Sequence, residues 1–207
     1  MINKALLLLC VVALGGRAVS FADDEEPIYR QSGQPVETRV ADLLGRMTVE
    51  EKVAQMTSLW EMKNDFLDEG GRFVPEKARQ VMPHGIGQIA RPSDNIGRGS
   101  TGQTITRTPR ETVELVNAIQ RYLLEETRLG IPAMMHEEGL HGFAARGGTH
   151  FPQAIALAST WDPALVEEVY SLVAREMRVR GAAQALTPVV DVARDPRWGR
   201  IEETYGE

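Results

Sequence analysis

The order of elements along the chain is what most limits the folds open to it. Three runs of strand-forming character, GIGQIAR (85–91), IPAMMH (131–136) and QALTPVVDVA (184–193), are separated by stretches in which apolar residues recur at helical spacing. Strands roughly 50 residues apart with a helix between them are not hairpin partners. They read instead as βα units of a parallel sheet. IPAMMH is apolar up to its last residue rather than alternating, as expected of a strand covered on both faces.

The helices are sharply punctuated. Val40, Leu43, Leu44 and Met47 recur at helical spacing; Thr48 and Glu51 then form a capping box for a second helix carrying Val49, Val53 and Met56. Thr108 as N-cap, Pro109 at the first helical position and Glu111 at the third open a longer helix that closes at Gly130. Its Leu115, Val116, Ile119, Tyr122 and Leu123 share one face. Asp162-Pro163 starts another helix, with Val166, Val169, Tyr170, Val173 and Met177 inward and its end at Gly181. Met47, Met56 and Met177 are read as core fillers. From Lys63 to Pro83 the pattern is weaker, and Pro188 demotes the start of the last strand.

The expected fold class is α/β. Without a GxGxxG or Walker loop to mark a nucleotide-binding sheet, a barrel is the best candidate. An eight-stranded barrel takes about 250 residues. With three convincing strands, the chain is expected to be the incomplete N-terminal part of a (β/α)8 TIM-like barrel.

Residues 1–22 have the three-part form of a secretory signal: Lys4, the apolar run ALLLLCVVALGG, and the small-residue ending before a cut after Ala22. A membrane anchor is disfavoured because Arg17 interrupts a run shorter than the roughly 20 apolar residues a span needs. Lipid attachment at Cys10 is disfavoured by Leu8-Leu9 in front of it. The expected domains are therefore the signal peptide 1–22, a polar arm 23–38 and the barrel portion 39–207, in a secreted or periplasmic protein with no membrane partner after cleavage. Cys10 is the sole cysteine and leaves with the leader, so the mature chain has no disulfide and no thiol nucleophile. The formal charge of −6, with signs interspersed, argues against a nucleic-acid partner.

In barrels, functional groups collect at the carboxyl ends of the strands. IPAMMH is read as running directly into Glu137 and Glu138, and VVDVA directly into RDPRWGR (194–200), so both polar clusters fall on one rim. Carboxylates and guanidinium groups around a bowl with a nearby tryptophan suit a polyhydroxylated ligand, whose hydroxyls donate and accept at once. Each residue also has a plainer part to play. Glu137 or Glu138 can pair with an arginine to hold the strand ends, Trp198 can pack, and His141 can orient its loop through a backbone hydrogen bond; His84 and His150 carry no assignment. HEEGLHG (136–142) is one residue off a zinc motif: its histidines are five apart, roughly 140° around a helix, and no metal site is assigned.

The segments GRMTVEEKVAQM (45–56), GIPAMMHEEGLHG (130–142), FPQAIALASTWDPALVEEV (151–169) and TPVVDVARDPRWGRIEETYGE (187–207) resemble the N-terminal part of glycoside hydrolase family 3. The resemblance implies a retaining, exo-acting β-glycosidase acting on β-linked oligosaccharides or glycosides without a cofactor. A β-glucosidase releasing terminal non-reducing β-D-glucosyl residues fits first, a β-xylosidase of the same family or a non-catalytic carbohydrate-binding fragment second. It also implies that Glu138 and Arg194 are substrate-binding residues, the acid accepting from hydroxyls of the terminal sugar and the arginine donating to their neighbours. Many relatives have Asp where this chain has Glu138, which leaves glucose and xylose both open. The family's nucleophile, an aspartate on a later strand, and its acid/base residue lie beyond these segments, so no catalytic residue is assigned here.

Overall fold

The parallel sheet expected from the sequence is present in the computed structural model, with four strands rather than three. The structure describes residues 26–94 and 107–206. The leader at 1–22 and most of the Gly/Ser/Thr-rich loop after GIGQIAR lie outside them. The chain divides after Arg46 into two units.

In the first unit a 3-10 turn, Ile28–Arg30, precedes helix α1, Val36–Arg46. The Tyr29 amide donates to Asp42 Oδ2 at 3.1 Å and Arg39 Nε to the Tyr29 carbonyl at 3.0 Å, which fastens the turn to the helix.

The second unit begins with α2, Val49–Gln55, and continues through β1 (Ser58–Leu59), α3 (Pro75–Val81), β2 (Gln88–Ala90), α4 (Pro109–Glu126), β3 (Met134–Glu138), α5 (Ala154–Ala158), α6 (Pro163–Val179) and β4 (Gln184–Leu186). The strands lie in the order β1-β2-β3-β4, all parallel, so each strand pairs with its neighbour in sequence through a helical crossover. Such singly wound order is that of an arc of a (β/α) barrel rather than of a doubly wound sheet. Both predicted capping boxes are present, Thr48 with Glu51 and Thr108 with Glu111, and Asp162 caps α6 through the Leu165 amide at 3.1 Å.

Registered neighbours on parallel strands point to the same side of the sheet. Leu59, Ile89 and Met135 form one such row and pack with Ala78 and Met82 beneath α3 and with Leu115, Val116, Ile119, Tyr122 and Leu123 of α4. The opposite face carries Gln88 beside Met134, Ala90 beside His136 and Gln184, and Glu138 beside Leu186. A second cluster, Phe143, Val173, Met177 and Ala182, seats α6.

Three expectations are corrected. Met56 is not a core filler: it is 82 % exposed, and Val49 and Val53 are exposed with it. The side of α2 that turns inward presents Glu51 instead, which closes the capping box and pairs with Arg128. β3 begins three residues later than expected because Pro132 has no amide hydrogen and both backbone groups of Ala133 are taken by the Gln120 side chain, at 3.1 and 2.7 Å. β4 stops at Leu186, just before Thr187-Pro188, and VVDVA is not strand; Val190 and Val192 stand exposed.

Candidate functional site

The corrected boundaries change what the two adjacent acids are. Glu137 and Glu138 both lie within β3 rather than after it, so the alternation of a strand sends them to opposite faces. Glu137 goes to the side of Met135 and is only 1 % exposed. Its Oε1 accepts from the Ser93 amide at 2.8 Å, while Oε2 has no partner among the described residues. Burial pushes this carboxyl group up from the usual carboxylate range, against the pull of the Ser93 hydrogen bonds. Glu138 goes to the face turned away from α3 and α4 and is half-buried, and no side-chain hydrogen bond or ion pair occupies its carboxylate among the described residues. Its backbone carbonyl accepts from the Ala144 amide at 3.1 Å, which ties the end of β3 to the following loop.

Arg194 is exposed, eight residues past the end of β4 rather than directly after a strand. The chain just before it is pinned by the Ala193 amide donating to the Gly206 carbonyl at 3.0 Å. The three arginines of RDPRWGR are not equivalent. Arg197 is held by Asp195, with Nε 3.0 Å from each carboxylate oxygen, and Arg200 by Glu203, with Nε 2.6 Å from Oε1. Arg194 has neither kind of partner among the described residues. No hydrogen bond or ion pair joins it to Glu138 among the described residues; the arginine whose charge couples to Glu138 is Arg200, which also feels Asp191. Trp198 sits in the 3-10 turn Pro196–Trp198, partly exposed.

His141 does what its plainer reading held: its ring Nδ1 is 3.1 Å from the Phe151 carbonyl, and the ring lies against His150 with centroids 5.9 Å apart. Gly142 follows at φ 121°, a conformation only glycine takes readily. A Cβ there would stand 2.2 Å from the Thr149 carbonyl oxygen.

A further polar cluster on the same rim escapes the sequence reading. Trp60 and Lys63 follow β1, Arg91, Ser93 and Asp94 follow β2, and Arg107 returns just before α4. Asp94 joins them: Oδ1 pairs with Arg91 Nη2 at 3.0 Å, and Oδ2 accepts from Trp60 Nε1 at 3.0 Å and lies 3.9 Å from Lys63 Nζ. The Arg91 guanidinium stands over the Trp60 ring, 5.5 Å from its centroid. Lys63 is buried, and burial draws its pKa down to about 8 despite Asp94. Arg107, 1 % exposed, donates from Nη1 to the Pro92 and Asp94 carbonyls, both at 3.0 Å, and from Nη2 to Gly71 at 3.3 Å. The cue available in the sequence was the run Arg91-Pro92-Ser93-Asp94 directly behind a strand; the companion cue, Trp60 and Lys63, was hidden because two-residue β1 has no readable periodicity.

Residues 48–207 match the family model described as the glycosyl hydrolase family 3 N-terminal domain. Over 200 residues the chain is 35% identical to a probable β-glucosidase C of Aspergillus flavus, covering 93% of this chain and 30% of the relative. It is 32% identical over 180 residues to a putative β-xylosidase of Formosa agariphila, covering 86% and 22%. The solved structure of a β-glucosidase from Erythrobacter marinus superposes with a TM-score of 0.71 at 34% identity, over 88% of this chain and 22% of that one. The chain thus spans less than a third of the length of these proteins.

Proposed function

This chain belongs to glycosyl hydrolase family 3, and from that premise we propose that it forms the sugar-holding part of a retaining, exo-acting β-glycosidase that releases terminal β-D-glucosyl residues from the non-reducing end. Glu138 accepts hydrogen bonds from hydroxyls of the terminal ring, and Arg194 donates to neighbouring hydroxyls of the same ring. Both grip the sugar most tightly as it flattens toward the oxocarbenium-like transition state. Retaining hydrolysis further needs a carboxylate nucleophile and a carboxylic acid about 5 to 5.5 Å apart, and no cofactor. In this reading both come from parts of the enzyme other than these 207 residues. Residues 1–22 act as the export leader of a secreted or periplasmic enzyme; among the described residues no helix is long and apolar enough to cross a membrane.

The observation that carries the proposal is the contrast within β3. Of two neighbouring acids, one is buried and bound to the loop after β2, and Glu138, at the strand's carboxyl end, keeps an uncommitted carboxylate on the other face. The carboxyl rim is where barrels bind their substrates. A second reading, a β-xylosidase, is supported by the Formosa agariphila relative.

The test is hydrolysis of 4-nitrophenyl β-D-glucoside and β-D-xyloside by the complete gene product. A higher kcat/KM on the glucoside is expected; a higher value on the xyloside selects the second reading. Sugar binding without turnover of either would leave a carbohydrate-binding module and overturn the enzyme. The Glu138→Gln substitution should lower kcat/KM by roughly a hundredfold, the cost of two weakened charge-assisted hydrogen bonds, and an unchanged value would return Glu138 to a structural part.

A further inference from the structure

We propose that Glu137 is a positioning residue for the sugar site, a buried brace that sets Glu138 against the loop following β2. The inference rests on the reading of Glu138 as a sugar-holding residue. Two bonds tie the loop after β2 to β3: the Arg91 amide donates to the His136 carbonyl at 2.7 Å, and the Ser93 amide donates to Glu137 Oε1 at 2.8 Å. Both anchors fall on the two residues immediately before Glu138. The loop they hold carries Asp94, whose carboxylate in turn orients Arg91 and Trp60. Moving Glu137 therefore moves the end of β3 and the adjoining stretch of rim together.

A side chain kept for packing alone would not look like this one. Glu137 Oε2 is sealed from solvent and has no hydrogen-bond partner among the described residues. Buried polar groups without partners are rare in native proteins because each costs stability, and departures of this kind concentrate at working sites. The charges facing Glu137 come from every neighbouring element: Lys63 from the segment after β1, Arg91 and Asp94 from the loop after β2, and Arg107 from the approach to α4. His136, next to it on β3, is itself held neutral-leaning by burial and by Lys63. Reach is the property that singles out this residue. Glutamine spans the same distance and keeps an oxygen for the Ser93 amide. Aspartate keeps the charge but falls short by one carbon–carbon bond, about 1.5 Å.

The experiment compares wild type, Glu137→Gln and Glu137→Asp in the complete gene product. Three quantities are measured: inhibition by D-glucono-1,5-lactone, the separate kcat and KM on a 4-nitrophenyl β-glycoside, and hydrogen exchange at the Ser93 amide. E137Q should bind lactone within about threefold of wild type and keep Ser93 protected. E137D should bind lactone at least about tenfold more weakly, raise KM more than it lowers kcat, and expose the Ser93 amide, because a displacement near 1 Å costs that order of binding and rate. Wild-type lactone affinity in E137D overturns the inference, and so does an E137Q as impaired as E137D, which would show that reach alone does not account for the effect. If E137D does not fold, E137Q decides alone: retained lactone affinity with Ser93 protected supports the brace, and lost affinity with Ser93 protected overturns it. A wild type that neither binds nor cleaves sugar overturns both the enzyme reading and this one; a sugar-binding wild type matched by E137D overturns only the brace.

Discussion

Replacing Arg107 by methionine tests how much of the rim depends on one buried cation. The guanidinium makes three hydrogen bonds to backbone carbonyls, two at 3.0 Å to Pro92 and Asp94 and one at 3.3 Å to Gly71. Methionine fills much of the space but donates nothing, so three backbone acceptors lose their partner. Each costs about 1–3 kcal/mol when left unsatisfied. The bond to the Asp94 carbonyl is only partly buried, which leaves two losses, at Pro92 and Gly71, to count in full. Against them stands the cost of burying a guanidinium, which the substitution removes. The net expectation is a destabilisation of about 3 kcal/mol. In a urea titration followed by tryptophan fluorescence, with a slope near 2 kcal/mol/M, that is a midpoint shift of about 1.5 M. Arg107→Lys keeps the charge but not the fork, and should fall between the two. An R107M midpoint within about 0.25 M of wild type, or an R107K equal to it, would falsify the assignment of Arg107 as the clasp of this loop.

Lys63 offers a pH test. Its pKa is drawn from 10.5 down to about 8 in the folded protein. The fold therefore carries a penalty for the buried ammonium below pH 8, and recovers it as pH rises from 8 toward the unfolded value. The stability difference between wild type and Lys63→Met should move in favour of wild type by up to ~3 kcal/mol across that window, and a flat difference would refute the burial of a charged amine. Glu51 works in the opposite sense: its hydrogen bond with Arg128 lowers its pKa, so the stability it contributes is present above the ordinary carboxylate range and disappears as pH falls through the folded value. Glu51→Gln should accordingly flatten the acid limb of a stability-against-pH curve, and an unaltered limb would count against the pair. Gly142→Ala should destabilise by about 2 kcal/mol or more, since it forces a side chain at φ 121° to within 2.2 Å of the Thr149 carbonyl; a melting temperature equal to wild type would contradict that.

What could be read from residues alone follows from which signals are local. Helices announced themselves because capping is a matter of three or four neighbouring residues: Thr108 with Glu111 and Asp162 with Pro163 start α4 and α6 where expected. Strand limits did not, because they depend on who competes for the backbone. Gln120, an element away, holds Ala133 out of the ladder, and β1 is too short to leave a pattern. The inward face of α2 was misread for a similar reason. Apolar spacing pointed to Val49, Val53 and Met56, whereas the buried position went to Glu51, whose partner Arg128 is 77 residues distant. At the candidate site, Glu138 and Arg194 were named through a family resemblance, and the rim position of the acid follows from β3. The Trp60–Asp94–Arg91 group was illegible because its members come from two loops that only the sheet brings side by side.

The opposed directions of Glu137 and Glu138 also give the protein a built-in gauge. A water-soluble carbodiimide modifies carboxyl groups it can reach, so in the paired strand it should label the second of these consecutive, chemically identical residues and spare the first. Because both sit in one proteolytic peptide, the ratio of their modification needs no external standard. Any treatment that loosens β3 from its neighbours would draw that ratio toward unity, and a slip of one residue would invert it.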